Sequence, residues 1–321
     1  MKKYALPGLG KLAKLAPKAM AEKPPLRTEG EQLEEFLAEL QRDSAVKEIS
    51  GWDSGFANLS RALDGIQPGL YLLIGPPACG KTAFAKQLLD QVAKHNARPG
   101  IFFTFAEKKN ELRIKTLARI SEMENREIRR GSAYLLHWYG VPKAHHATAD
   151  QLQPSWEKLR RTAEEAKSWL NLIYLIECER NADMQQIESN IRELQAATNS
   201  AQTMIVIDDC QRLGGHNQSL DATLPIVVEQ LQALAINLNV TLLAVWPDLG
   251  GRTEVSPQAW PDKVASADVI MVMEIDSART KKLTEPNQAI TLDIVKNRGG
   301  ERGKLAFDFY PAFAKFVEVE S

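Results

Sequence analysis

The chain has 321 residues and a mass of 35.8 kDa, with 40 basic against 41 acidic residues and a formal charge of −1, so it can hold one large α/β domain or two ordinary ones and has no global field for nucleic acid. A hydrophobic share of 44% and a charged share of 25% exclude a disordered or fibrous chain, and no uncharged apolar run reaches the roughly 18 residues of a membrane span. Cys79, Cys178 and Cys210 lie far apart without a CxxC pair, which suggests neither a disulfide framework nor a zinc module and leaves the expectation of a soluble, cytoplasmic protein with no membrane partner.

Residues 1–28 form the first segment, a basic tail with Lys2, Lys3, Lys11, Lys14, Lys18, Lys23 and Arg27 against the single acid Glu22. Lys11 and Lys14 interrupt every candidate apolar core of a secretory leader. The tail reads as a solvated arm or as a basic arm that touches nucleic acid or a partner. Residues 29–48 form the second segment. Within it, 31–42 predicts an acidic helix with Leu33, Phe36, Leu37 and Leu40 on one stripe. So short a helix must lay that stripe on its own domain or on a neighbouring subunit.

From residue 49 to the end, short apolar runs alternate with helical patterns. Residues 70–74, 101–105, 172–176, 203–207, 240–245 and 269–273 predict buried strands, and their near-continuous apolarity suits a parallel sheet covered on both faces. Leu224, Val227, Val228, Leu231, Leu234 and Leu238 repeat at helical spacing, as do Leu159, Ala163, Ala166 and Leu170. Residues 289–296, 304–309 and 313–319 predict consecutive antiparallel strands. The fold class is therefore α/β, a doubly wound and mostly parallel sheet with an antiparallel C-terminal extension.

Gly75, Pro76, Pro77, Ala78, Cys79, Gly80, Lys81 and Thr82 fit G-x-x-x-x-G-K-[ST] and sit between a predicted strand and a predicted helix. Gly75 and Gly80 let backbone N–H groups wrap a polyphosphate, and the helix N-terminus adds its positive end. Lys81 reaches the β and γ phosphates and Thr82 offers a hydroxyl to Mg²⁺, so ATP and magnesium are the expected cofactors. Cys79 reads as a small filler of that loop. The apolar run 203–207 ends in Asp208, the candidate second magnesium ligand, with Asp209 as the alternative. Glu107 follows the strand after the phosphate loop. It either orients the attacking water or simply opens the charged helix that holds Lys108, Lys109 and Glu111.

In this order the motifs resemble the ATPase domain of the hexameric replicative helicases of the DnaB type, within the RecA-like family. The resemblance runs from about Gly51 to Val319 and includes Gly51 to Phe56, Leu63 to Gly69, Ile207 to Gln211, and Lys296-Asn297-Arg298-Gly299-Gly300-Glu301-Arg302-Gly303. It implies that Glu107 is the catalytic carboxylate and that Gln211 belongs to the nucleotide site. It also implies that Lys296 and Arg298 reach the ATP of the adjacent subunit, so that copies assemble head to tail into a hexameric ring around single-stranded DNA. By the same resemblance, residues 29–48 are the linker helix that docks on the next copy, and the partners belong to a replication or mobile-element system.

Three features depart from the family pattern. A basic tail stands where the family carries a domain that meets primase. Trp246-Pro247 replaces a polar Ser-Gln pair, and the channel loop Gly214-Gly215-His216-Asn217-Gln218 is nearly uncharged. Residues 132–153 form an insertion with Tyr134, His137, Trp138, Tyr139, His145 and His146, which reads as a packing or partner surface, a nucleic-acid contact or a metal site. The alternatives to a helicase are therefore an ATP-gated assembly or regulatory protein that does not unwind DNA, and a plain ATP-binding structural subunit.

Overall fold

The computed structural model describes residues 28–43, 49–130, 153–179, 182–215, 220–247 and 264–319. Residues 1–27 of the basic tail, residues 132–152 of the insertion and His216 to Gln218 of the channel loop lie outside the described residues.

Nine strands form one sheet: β1 (Gly69–Gly75), β2 (Gly100–Thr104), β3 (Ile173–Glu177), β4 (Met204–Asp208), β5 (Thr241–Pro247), β6 (Val269–Ile275), β7 (Gln288–Asn297), β8 (Gly303–Tyr310) and β9 (Lys315–Glu318). They lie in the order β3-β2-β4-β5-β1-β6-β7-β8-β9. The first six pair in parallel and the last three continue the sheet antiparallel. Each predicted strand is present within about two residues. The last one begins at Lys315, because Pro311–Phe313 makes a 3-10 turn and Ala314 takes a left-handed φ of 47°.

Alternation along β1 accounts for the two-sided core. Leu70, Leu72 and Ile74 pack on one face beneath the helices Met184–Thr198 and Leu220–Leu238. Tyr71 and Leu73 pack on the other, against Phe84 of the helix Lys81–Asn96. A strand that is apolar at every position can be buried only this way. On the second face Phe56, Phe84, Phe307 and Phe316 meet stacked or edge to face at 5.1 to 5.6 Å, except for the 6.4 Å pair Phe307–Phe316, and so tie β8 and β9 to the sheet's centre. The Glu318 carboxylate accepts from the N–H groups of Asn58 and Leu59, at 2.8 and 3.0 Å, and caps the helix Ala57–Leu63.

Two helical expectations differ in detail. The stripe Leu159, Ala163, Ala166, Leu170 spans two helices, Gln153–Glu165 and Lys167–Leu170, because the chain turns at Ala166 and tucks Ala166 and Trp169 against Ala93. The first helix runs Glu29–Asp43, and its Leu33, Phe36 and Leu37 are exposed.

Candidate functional site

The C-terminal ends of β1, β2 and β4 bring three of the sequence motifs together. The loop after β1 needs backbone that an ordinary residue resists. Ala78 sits at φ 64° and Gly80 at φ 89°, and a Cβ on Gly80 would stand 2.8 Å from Phe316. Gly80 then opens the helix Lys81–Asn96 with no side-chain cap and no acid in the first turn. That helix end presents N–H groups with no intrahelical partner and the positive end of its dipole, which suits an anion. Lys81 Nζ donates to the carbonyls of Gly75 and Pro76, both at 2.7 Å, so the ammonium lies over the loop. Cys79 is buried, and burial pushes its thiol pKa up, which leaves it a packing group.

Thr82 Oγ1 donates to Asp208 Oδ2 at 2.8 Å. Burial pushes the Asp208 carboxyl up to about 6. The bond from Thr82 opposes that shift, while the nearby carboxylates of Glu107 and Asp209 add to it. Asp209 turns aside at φ 67° and spends its carboxylate on Arg212 and Gln211, both at 2.5 Å. Gln211 Oε1 is left buried without a partner among the described residues. Glu107 stands at the end of β2, held by a backbone N–H to Thr104 Oγ1 at 3.0 Å, with its Oε2 taking Lys115 Nζ at 2.6 Å. Sequence reasoning missed Lys115, which is eight residues away on a helix and reaches Glu107 only through the fold.

A magnesium nucleotide fits this donor set: a hydroxyl and a carboxylate in contact, a carboxyl disfavoured as an anion until a cation neutralises it, and a lysine over a nest of N–H groups.

Lys296 and Arg298 are elsewhere. Arg298 lies beyond the end of β7, which runs antiparallel beside β6, and its guanidinium pairs with Asp268 at 2.9 Å. Asp268 in turn accepts from the N–H of Leu70, at the start of β1. Leu70 and Gly75 are separated by about 16 Å of strand, farther than an arginine side chain extends. Lys296 Nζ donates to the carbonyl of Ala265 at the same end, and burial together with the Arg298 charge holds its pKa below the usual lysine value. The fold therefore places these two cations at the opposite end of the sheet from the chain's own phosphate loop.

A family model described as the DnaB-like helicase C terminal domain matches residues 51–318. The chain belongs to that family. It is 23% identical over 292 residues to the replicative DNA helicase DnaB of Haemophilus influenzae, covering 88% of this chain and 58% of that protein. To the DnaB of Pasteurella multocida it is 24% identical over 279 residues, covering 84% and 55%. The chain thus spans little more than half the length of these curated relatives. Among solved structures, one described as an ATPase domain is similar with a TM-score of 0.71 at 20% identity, covering 92% of this chain and all of that one. A DnaB-like replicative helicase described with its interactions with primase is similar at a TM-score of 0.68 and 20% identity, covering 92% of this chain and 68% of that one. These likenesses establish the RecA-like fold.

Proposed function

We propose that the protein is an ATP-driven translocase and helicase of single-stranded DNA that hydrolyses Mg-ATP at the subunit interfaces of a head-to-tail hexameric ring. The supporting observation is the separation of the motifs. The phosphate loop, Thr82, Asp208 and Glu107 occupy one end of the sheet, and Lys296 and Arg298 occupy the other. A site that contains all of them needs two copies, and a contact between unlike ends repeats into a ring or a filament.

In this reading the loop N–H groups and Lys81 bind the phosphates, and Thr82 and Asp208 hold the magnesium. Bound there, the magnesium nucleotide supplies the phosphoryl group to be transferred. Glu107 orients the attacking water and takes its proton, while Gln211 offers its unpartnered oxygen within the same cluster. Arg298, assisted by Lys296, neutralises charge on the neighbour's γ phosphate, a contribution of roughly 10³–10⁵ in rate. The loop Gly214 to Gln218 is the candidate DNA contact, with backbone N–H groups rather than charge as its grip. Partners are copies of the chain itself and components of a replication or mobile-element system.

Arg298→Ala and Glu107→Gln are each expected to bind ATP normally and to turn over at least about a thousandfold more slowly. An equal mixture should regain about a quarter of wild-type activity, because one head-to-tail interface in four then pairs an intact Glu107 with an intact Arg298. A mixture no more active than its parts would overturn the shared site.

Trp246 supports a second reading, an ATP-gated assembly or regulatory protein that does not unwind DNA. At the end of β5, beside Ile74 of β1, this indole is fully buried, and Pro247 pairs with Gly75. Pro247 has no side-chain polar group, and the one donor of Trp246, its indole Nε1–H, is buried without a partner among the described residues, so the pair lacks the exposed acceptor and donor of a Ser-Gln pair. Turnover stimulated several-fold by single-stranded DNA, together with strand displacement on a forked duplex, would select the helicase. Turnover indifferent to DNA would select the assembly protein.

A further inference from the structure

Asp268 joins the finger to the strand that carries the phosphate loop. One carboxylate oxygen, Oδ1, pairs with the Arg298 guanidinium at 2.9 Å. The other, Oδ2, accepts from the Leu70 N–H at 2.9 Å and from Gln232 Nε2 at 3.1 Å. The backbone repeats the connection, with Asp268 N donating to the Leu70 carbonyl and Arg298 N donating to the Asp268 carbonyl, at 2.9 and 3.0 Å. Gly69, at φ 146°, clears the space, since a Cβ there would stand 2.8 Å from Asp268 Oδ2. The guanidinium is 63% exposed while the carboxylate is only 18% exposed, so a mobile cation is moored on a fixed anion.

We propose that Asp268 is the positioning residue of the arginine finger, holding Arg298 at the angle from which it meets the neighbouring copy's nucleotide. This rests on the reading that Arg298 completes that site. An exposed arginine samples many rotamers, and every one that misses the neighbour costs entropy when the interface closes. A carboxylate tied to two elements removes most of that freedom while the guanidinium stays exposed. Because Asp268 is bonded to Leu70 and β1 ends at Gly75, the same strand carries the grip on a chain's own nucleotide at one end and the mooring of its finger at the other.

Asp268→Asn keeps the shape and one acceptor but removes the charge that holds the guanidinium. Its affinity for ATP should stay within about twofold of wild type, because its own loop is at the far end of β1, while kcat falls about tenfold or more. Mixing with Glu107→Gln copies should restore turnover, since those copies lend an intact finger. Mixing with Arg298→Ala copies should not, since every interface then lacks a moored finger. A general loss of structure would not distinguish the two mixtures. Gln232→Met, which removes only one donor to Oδ2, should show a smaller fall in kcat with the same rescue pattern, and it carries the test should Asp268→Asn lose its thermal transition. Unchanged kcat, equal rescue by both mixtures, or ATP affinity lost in step with turnover would overturn the proposal. Should Arg298→Ala be inert while Asp268→Asn turns over normally, only the mooring role falls. A fully active Arg298→Ala would remove the finger itself, and the mooring role with it.

Discussion

Asp208 illustrates how burial and neighbouring charge act on a single carboxyl. Its carboxyl rises from 3.8 to about 6 in the fold, first through burial and then through the carboxylates nearby. A folded-state pKa above the unfolded one means that the native chain binds more protons between those values, so stability falls as pH rises through that window. In magnesium-free buffer, Asp208→Asn should therefore melt close to wild type near pH 4 and above it at pH 7, and magnesium with ATP should reverse that order. Equal melting at both pH values would show that the carboxylate carries no such strain. Lys81 is the second decisive residue. Lys81→Ala should abolish nucleotide binding, measured by titration calorimetry, because its ammonium is the cation held on the carbonyls of Gly75 and Pro76.

Between the helices Lys81–Asn96 and Lys109–Ser121 lies a buried ionic cluster. Lys86 and Arg119 both pair with Asp90, Thr116 Oγ1 donates to Asp90 Oδ2 at 2.7 Å, and all four residues are buried. Two cations share one anion, and burial together with the Arg119 charge pushes the Lys86 pKa down, against the pull of Asp90. The surplus charge makes the two ends of the network unequal. Lys86→Met should be neutral or stabilising in chemical denaturation, because Asp90 keeps Arg119. Asp90→Leu should cost about 3–5 kcal/mol, because it strands two buried cations. The sequence places one helix after the phosphate loop and a charged helix at Lys108 but says nothing of this pairing, since residues 86, 90, 116 and 119 meet only after the helices pack.

At the scale of the whole molecule, the phosphate loop and Arg298 lie at opposite ends of the sheet, and under the proposed function activity then requires assembly. In that proposal the exposed Leu33, Phe36 and Leu37 of the helix Glu29–Asp43 would be the matching apolar contribution. Native mass spectrometry with Mg-ATP should show multiples of the 35.8 kDa chain, and replacing those three residues with serine should shift the distribution toward the monomer. A triple variant that assembles like wild type would remove the linker helix from the interface. The sequence by itself determined the strand and helix rhythm, the parallel core and the phosphate loop. Each of these is written in local periodicity or in contiguous residues, which survive any rearrangement of the rest. Only the tertiary structure decided that Thr82 meets Asp208 while Asp209 is spent on Arg212, that Lys115 pairs with Glu107, and that Arg298 is moored at the far end of β1. Those are distances between elements remote in the chain, and they exist only once strand order and direction are fixed.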